Sequence, residues 1–473
     1  MKILLAVPYQ DIEPYILPNL GLGYIASALK KKGHEVKYLD CLKEKADALS
    51  WRKIISEGRY DVVGVQMYSY AHDYVKNMLR IAKDVLPNAV TVVGGPHANA
   101  VPEQALRDNP EIDYVIHGEG EMAFPALLDA LAQNDCDKAS IPNLTWRDRG
   151  AVRVNNKSFI EDLDELDLPA WDLIDPRTYP ALSHGLLNRA YPIAPIFATR
   201  GCPYSCTFCS ARNNMGPKLR NRTPSKVVDE IEMLVKGYGV KEIHFEDDNF
   251  TFHKDFASQI CQEIINRKIE ISWACPNGVR LDSLDAELLK IMERAGCYSF
   301  ALGIESGSDR VLKLMNKQTT VSQIRQKIRL IAETTRIRMT GFIIFGYPGE
   351  SEADLRQTEE LVLNEPLHRL SAGPFVPYPG TPVHEKLVKE KKLPEKYNWG
   401  LLASYGEDTF VDERIDRKRL LRAVRNIHLR FYLRPRVIRG ILSEINSLEQ
   451  LKIAFKMFLL WLGVIKIKRR SFI

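Results

Sequence analysis

The sequence predicts an α/β protein in two sheet-bearing parts: a doubly wound parallel sheet, then an incomplete barrel of six β/α units, with a helical tail behind them. Three observations carry this reading. Short apolar runs alternate with amphipathic helical patterns from the N-terminus to about residue 385. An acidic, proline-punctuated stretch, EDLDELDLPAWDLIDP, divides that alternation in two. Beyond residue 385 the apolar spacing becomes helical and the charge strongly basic.

The chain has 473 residues, 45% hydrophobic and 27% charged, which suits a globular protein of more than one domain and excludes a disordered or fibrous one. The first part, residues 1–140, reads KILLAVP, GLGYIASALKKKG, HEVKYLD, DVVGVQMYS, YVKNMLRIAKDV, AVTVVGG, YVIHGEGE and FPALLDALA. Five buried-looking strands between amphipathic helices imply a Rossmann-like parallel sheet. Ligands of such sheets bind outside the strand carboxyl ends. Here those ends are Pro8-Tyr9, Asp40, Gln66 to Ser69, Gly94-Gly95-Pro96-His97 and Gly118-Glu119-Gly120-Glu121.

Residues 141–194 read as a linker, with a hairpin around Asp148-Arg149-Gly150 followed by the acidic stretch. Residues 195–385 hold six strand candidates, IFATRG, EIHFEDD, ISWACPN, SFALGIES, MTGFIIFG and LSAGPFVPYP, separated by helical patterns. Six units make a partial (β/α)6, TIM-like barrel with its active face at the strand carboxyl ends. Residues 386–473 form a helical extension. From Arg414 onward it carries 16 Lys or Arg against three acids, which leaves residues 1–413 at −7 within a total of +6.

That tail admits three readings: a solvated helix packed on the barrel, a membrane-surface anchor, or a nucleic-acid footprint without a recognised module, so no nucleic-acid partner is expected. In the second, Phe455, Phe458, Leu459, Trp461 and Leu462 would embed while Lys452, Lys456, Lys466, Lys468, Arg469 and Arg470 meet anionic headgroups. The longest uncharged apolar run, Met457 to Ile465, is nine residues, far short of the roughly 20 needed to span a bilayer. The start, MKILLAVPYQ, has too short an apolar run for export, and eight unevenly spaced cysteines do not suit a disulfide framework. A cytoplasmic location is expected, with membrane association as an option.

The chemistry is concentrated in RGCPYSCTFCS, where Cys202, Cys206 and Cys209 fall directly after the first barrel strand. Thiolates this close call for iron or zinc. Structural zinc wants four protein ligands, usually as two paired half-sites, and Cys261, Cys275 and Cys297 stand isolated. A four-iron cluster on three cysteines leaves one iron with an open coordination site for a substrate or cofactor.

The C-x3-C-x2-C spacing with Phe208 before the last cysteine resembles the cluster motif of the radical S-adenosylmethionine (SAM) superfamily. The resemblance extends to Glu246-Asp247-Asp248-Asn249-Phe250, Asn277-Gly278-Val279-Arg280, Gly303-Ile304-Glu305-Ser306-Gly307 and the Gly341 to Glu350 segment with Gly346, which look like the family's SAM-contacting strand ends. It implies a 4Fe-4S cluster whose free iron chelates SAM, and reductive cleavage of SAM to a 5′-deoxyadenosyl radical. The cofactor carries the hard chemistry and the protein supplies orientation and dryness.

A doubly wound domain ahead of such a barrel is similar to the subfamily whose N-terminal domain binds cobalamin. The matching residues are Pro8, Gly21, Gly23, Tyr24, Gly94, Gly95, Pro96, His97, Gly118 and Glu119, and Gln66 and Ser69 at the third strand's end join them as cofactor-binding candidates. The motif D-x-H-x-x-G is absent, so a protein imidazole is not expected beneath the cobalt. The implied reaction is methylation of an unactivated carbon of a small, hydrophobic substrate, with a flavodoxin or ferredoxin as one-electron donor. The alternatives are cyclisation or rearrangement with the same cofactors and, from another class, a non-catalytic cobalamin or redox sensor. A methylthiotransferase would need three N-terminal cysteines, and only Cys41 and Cys136 stand there.

Overall fold

The structure is a computed structural model that describes residues 1–9, 16–133, 137–180, 188–393, 399, 410–445 and 448–461. Cys136 lies outside them, as do Leu462, Lys466, Lys468, Arg469 and Arg470 of the tail.

The five expected parallel strands form as β1 (Lys2–Val7), β2 (Glu35–Asp40), β3 (Val62–Gln66), β4 (Val90–Gly94) and β5 (Tyr114–Ile116). They run β2-β1-β3-β4-β5 across the sheet. Their side chains alternate between two helical layers. Leu4, Ala6, Val63 and Val65 pack with Trp51, Ile55, Met78 and Leu79 on one face, while Ile3, Leu5 and Val62 pack with Leu29, Phe124 and Leu128 on the other. Both faces covered is what turned the inner strands β1, β3 and β4 into apolar runs, while edge strand β2, EVKYLD, keeps Glu35 and Lys37 exposed.

The hairpin predicted at Asp148-Arg149-Gly150 forms as β6 (Leu144–Asp148) and β7 (Ala151–Val154), but not in a free linker. It adds two antiparallel strands to the first sheet, β6 pairing with β5 through Leu144↔Ile116 and Trp146↔Tyr114. Buried Leu144, Thr145 and Trp146 supply the cause. The acidic stretch after it is also held down, with Trp171 and Ile174 buried in the barrel's core.

The second sheet is the partial barrel. Its strands are β8 (Ile193–Ile196) and, after a two-residue antiparallel ladder of β9 (Thr199–Arg200) and β10 (Arg220–Asn221), β11 (Glu242–Phe245), β12 (Ser272–Val279), β13 (Cys297–Glu305), β14 (Arg338–Phe345) and β15 (Arg369–Pro374). All six pair in parallel in the order β15-β14-β13-β12-β11-β8. Buried Cys261, Cys275 and Cys297 are part of its core.

Of the three readings of the tail, its first half follows the packed one. Helix Arg417–Tyr432 lies on edge strand β15, sending Leu420, Ile427 and Phe431 into the barrel core. The Tyr432 hydroxyl donates to Leu370 O (2.9 Å) and accepts from Leu370 N (3.1 Å). Arg430 of this helix pairs with Glu359 (2.9 Å), and Arg434 just beyond it donates to Leu363 O (2.8 Å). The helix shields an edge that would otherwise present unpaired backbone groups. No described helix is long and apolar enough to cross a membrane.

Candidate active site

The cysteine loop is held at its neck. Asp247, buried at the end of β11, accepts the backbone N–H of Ala198 (3.2 Å) and Thr199 (2.5 Å). Arg200 and Arg220 are register partners in the β9–β10 ladder, so loop 201–219 leaves and returns at one point. Within it, Cys202 N donates to Gly216 O (3.1 Å) and Cys209 N to Cys206 O (3.2 Å). Thr207 N donates to Met315 O (3.0 Å), Asn316 donates to Ser205 O (3.0 Å), and Phe208 packs against the Val311, Met315 and Phe375 cluster. Arg280 stacks 3.4 Å over the Tyr204 ring and donates to Asp282, which also accepts from the Tyr204 hydroxyl (3.0 Å).

All three thiols are free of disulfides. Burial pushes the Cys209 thiol up to about 12, with the charges of Asp248, Cys206 and Cys202 adding. Burial also raises Cys202, and Asp248 and Cys206 add while Arg280 opposes. The three sulfurs thus share one electrostatic neighbourhood, although among the described residues no three Cys, His, Asp or Glu side chains converge as a metal-ligating group. The donor set nonetheless fits an iron–sulfur cluster, since three cysteine sulfurs on one loop are the soft ligands that such clusters take.

Asp248 and Cys209 both keep exposed surface, yet burial pushes Asp248 up to about 6. Both hold where surrounding protein desolvates a group whose own surface still reaches water. Glu246 and Asn277 stand together, Asn277 Nδ2 donating to the backbone and side-chain oxygens of Glu246 (2.9 Å each). Glu305, at φ +63°, pairs with buried Lys317 (2.8 Å). Two further residues expected to contact SAM also face the protein. Ser306 is fully buried and bonds Thr358 (3.2 Å) and the N–H of Ser308 (3.2 Å). Gly346 makes room for protein, since a Cβ there would lie 2.7 Å from Leu420 Cδ2 of the C-terminal helix.

The corner of the first domain is more fully occupied by the chain itself. Gln66 accepts from Asn19 (2.7 Å). Ser69 bonds His97 Nδ1 (2.9 Å), and the His97 ring meets Trp399 edge-on at 4.9 Å. Burial, then His72, lowers His97 to about 3, so it is neutral. Gly94, Gly95 and Pro96 form the turn at the end of β4, and Gly95 at φ +103° precedes the short helix Pro96–Ala100. Pro8 is buried after β1, and Gly21 is exposed on the helix Leu20–Lys31. Gly23 lets the acidic segment approach, a Cβ there meeting Ile174 Cδ1 at 2.6 Å. Tyr24 is buried in the barrel-side core beneath the Arg200 guanidinium (4.8 Å). Gly118 N donates to Asn99 Oδ1 (2.6 Å), and Glu119 is buried in ion pairs with Arg200 and Arg220.

The two strand-end faces meet. Burial raises the Tyr68 phenol, just beyond β3, to about 12, with the charge of Glu246 on the barrel adding. Asn99 donates to Asn214 (3.2 Å), and Lys157 donates to Asn99 O (2.9 Å) and Asn213 O (3.1 Å) of the cysteine loop. Sequence reasoning missed Tyr204, Lys317, Arg200 and Arg220, and reached Tyr68 only as part of the Gln66 to Ser69 strand end. Arg200 and Arg220 carried a signal in flanking the cysteine run, but their partners are far away in the chain.

Two family models match. Radical SAM superfamily covers residues 196–362 and B12 binding domain covers residues 13–128. An uncharacterized methyltransferase of Pyrococcus horikoshii is 30% identical over 93% of this chain and 94% of its own. An anaerobic magnesium-protoporphyrin IX monomethyl ester cyclase of Rubrivivax gelatinosus is 29% identical over 88% and 74%. Among solved structures, the radical SAM methyltransferase TsrM of Kitasatospora setae, with cobalamin and a [4Fe-4S] cluster bound, shares the fold at a TM-score of 0.67, with 21% identity over 82% of this chain and 75% of that one.

With three cysteines on the loop after the first strand of a six-stranded partial barrel, the chain belongs to the radical SAM superfamily. Its first domain is a B12 binding domain, so its cofactors are a 4Fe-4S cluster, S-adenosylmethionine and cobalamin, and it is an enzyme. The sensor reading is thereby set aside.

Proposed function

We propose that this enzyme methylates an unactivated carbon of a small, hydrophobic substrate held between the carboxyl ends of the two sheets. The observation that carries the reading is the meeting of those ends, where Asn99, beyond β4 of the first domain, donates to Asn214 of the cysteine loop (3.2 Å). Cys202, Cys206 and Cys209 hold the cluster. Asp248, Glu246, Asn277 and Glu305 are the groups that receive SAM, and the Gln66 to Ser69 and Gly94 to His97 edges face cobalamin. When bound, the cluster with SAM supplies a 5′-deoxyadenosyl radical and cobalamin supplies the methyl group.

The chain's own contributions are positional. Asp247 fixes the neck of the cysteine loop, and the Tyr204–Arg280–Asp282 clasp fixes its first turn. Preorganisation of this kind places reacting groups without a cost at the moment of reaction. A flavodoxin or ferredoxin is the proposed electron donor.

The test is anaerobic purification, cluster reconstitution, incubation with hydroxocobalamin and gel filtration, then turnover with methyl-labelled SAM and candidate hydrophobic substrates. Near-stoichiometric retained cobalamin, 5′-deoxyadenosine and a labelled product are expected. A cluster that forms without retained cobalamin overturns the two-cofactor reading. A product without label moves the assignment to cyclisation, the activity in the name of the Rubrivivax relative.

The last helix, Leu448–Trp461, supports a second proposal, docking on an anionic lipid surface. Leu448, Leu451 and Phe455 are 78%, 46% and 60% exposed and share one face, with basic Lys452 exposed beside them. Sedimentation with anionic vesicles should be lost in a Phe455→Glu variant. Equal sedimentation of both forms, or equal binding to neutral vesicles, removes this proposal.

A further inference from the structure

Two arginines and two glutamates are buried together where the domains meet. Arg200 Nη1 lies 3.2 Å from Glu119 Oε1 and Arg200 Nη2 lies 2.7 Å from Glu121 Oε1. Arg220 spans both Glu119 oxygens, at 2.8 and 2.9 Å. The four side chains are 3% to 6% exposed. Ile160 N donates to Glu119 Oε2 (2.6 Å), and Arg220 also donates to Met215 O (2.6 Å) inside the cysteine loop. The charges balance and most donors and acceptors have partners, the condition under which buried ions are tolerated.

Their placement in the chain gives the cluster its meaning. Arg200 and Arg220 pair across the β9–β10 ladder and bracket loop 201–219, which carries all three cysteines. Glu119 and Glu121 sit where the last parallel strand of the first domain ends. One carboxylate of the cobalamin domain therefore grips both stems of the cysteine loop.

We infer that Glu119 is a positioning residue that sets the distance between the cluster and the corrin, rather than a cofactor ligand. It fixes the loop's stems to the domain whose other strand ends, at β3 and β4, face the corrin. Glu121 completes the pairing of Arg200. The inference rests on the two-cofactor reading for its consequence, while the mechanical link itself can be measured without any cofactor.

The first measurement is amide hydrogen exchange on the apo protein. Removing one charged hydrogen-bond partner should speed exchange in residues 201–219 of Glu119→Gln by about tenfold or more, with β1–β4 and β11–β15 unchanged. The second is the magnetic dipolar coupling between the reduced cluster and cob(II)alamin in reconstituted protein. At equal iron and cobalamin content, Glu119→Gln should show a broadened distance distribution, and Arg220→Lys should stay nearer the parent than Arg220→Gln. If Glu119→Gln does not fold, Glu121→Gln carries the same pair of measurements with a smaller expected change. Unchanged exchange in 201–219 overturns the link, and unchanged coupling at equal loading overturns its role in spacing the cofactors. Loss of cobalamin retention by the parent enzyme would instead strike the two-cofactor reading and leave the exchange result standing.

Discussion

The carboxyl ends of the first sheet and of the barrel occupy equivalent places in two β/α series, yet they spend their polar residues differently. At the first sheet, Glu119 is consumed by arginines, His97 by Ser69 and Gln66 by Asn19. At the barrel, Cys209 and Asp248 keep exposed surface while burial raises both. The first face is built as a fitted wall and the second as a reactive floor. A flat cofactor asks a wall for shape, whereas a cluster and SAM ask the floor for ligands.

Changes to the floor should have the largest effect on activity and the least on folding. Cys202→Ala, Cys206→Ala or Cys209→Ala should abolish 5′-deoxyadenosine formation and bound iron while moving stability by less than about 1 kcal/mol, read by denaturant titration. The wall should show the opposite pattern. Arg220→Met leaves Glu119 and Glu121 to share the single charge of Arg200, one buried carboxylate uncompensated, and should cost about 3–5 kcal/mol by the same titration.

Gly346→Ala tests whether a glycine at the barrel face serves protein packing. With φ at +77° and Leu420 in the way, a loss of roughly 2–4 kcal/mol is expected, partly recovered in a double variant with Leu420→Ala. His97 tests the wall by pH. Its folded value, about 3, lies below its unfolded value, so below pH 6.5 the unfolded chain binds the extra proton and stability falls as pH falls toward 3. About 2 kcal/mol should be lost at pH 5 relative to pH 8, and His97→Gln should remove that part of the acid sensitivity. The smallest effect belongs to Phe455→Glu, within about 0.5 kcal/mol of the parent because the side chain is exposed.

The inner strands of the first sheet were legible because burial on both faces leaves an apolar signature, and Cys202, Cys206 and Cys209 because ligands on one loop are neighbours in sequence. The protein-side contacts of Ser306 and Gly346 were hidden for a common reason. A small residue at a strand end looks the same whether it admits a ligand or another part of the chain, and Thr358 and Leu420 are remote in sequence. The β6–β7 hairpin was visible as a hairpin, but its pairing with β5 depends on Trp146 finding Tyr114.

By itself the sequence determined the two β/α series, the cysteine loop and its soft ligand chemistry, and the basic character of the tail, because each rests on local periodicity, spacing or composition. Tertiary structure alone decided that the hairpin extends the first sheet, that the tail's first helix covers β15, and that Glu119 meets Arg200 and Arg220. Those are contacts between residues 81 and 101 positions apart in the last case, and only folding brings such charges together, out of water and into one another's reach.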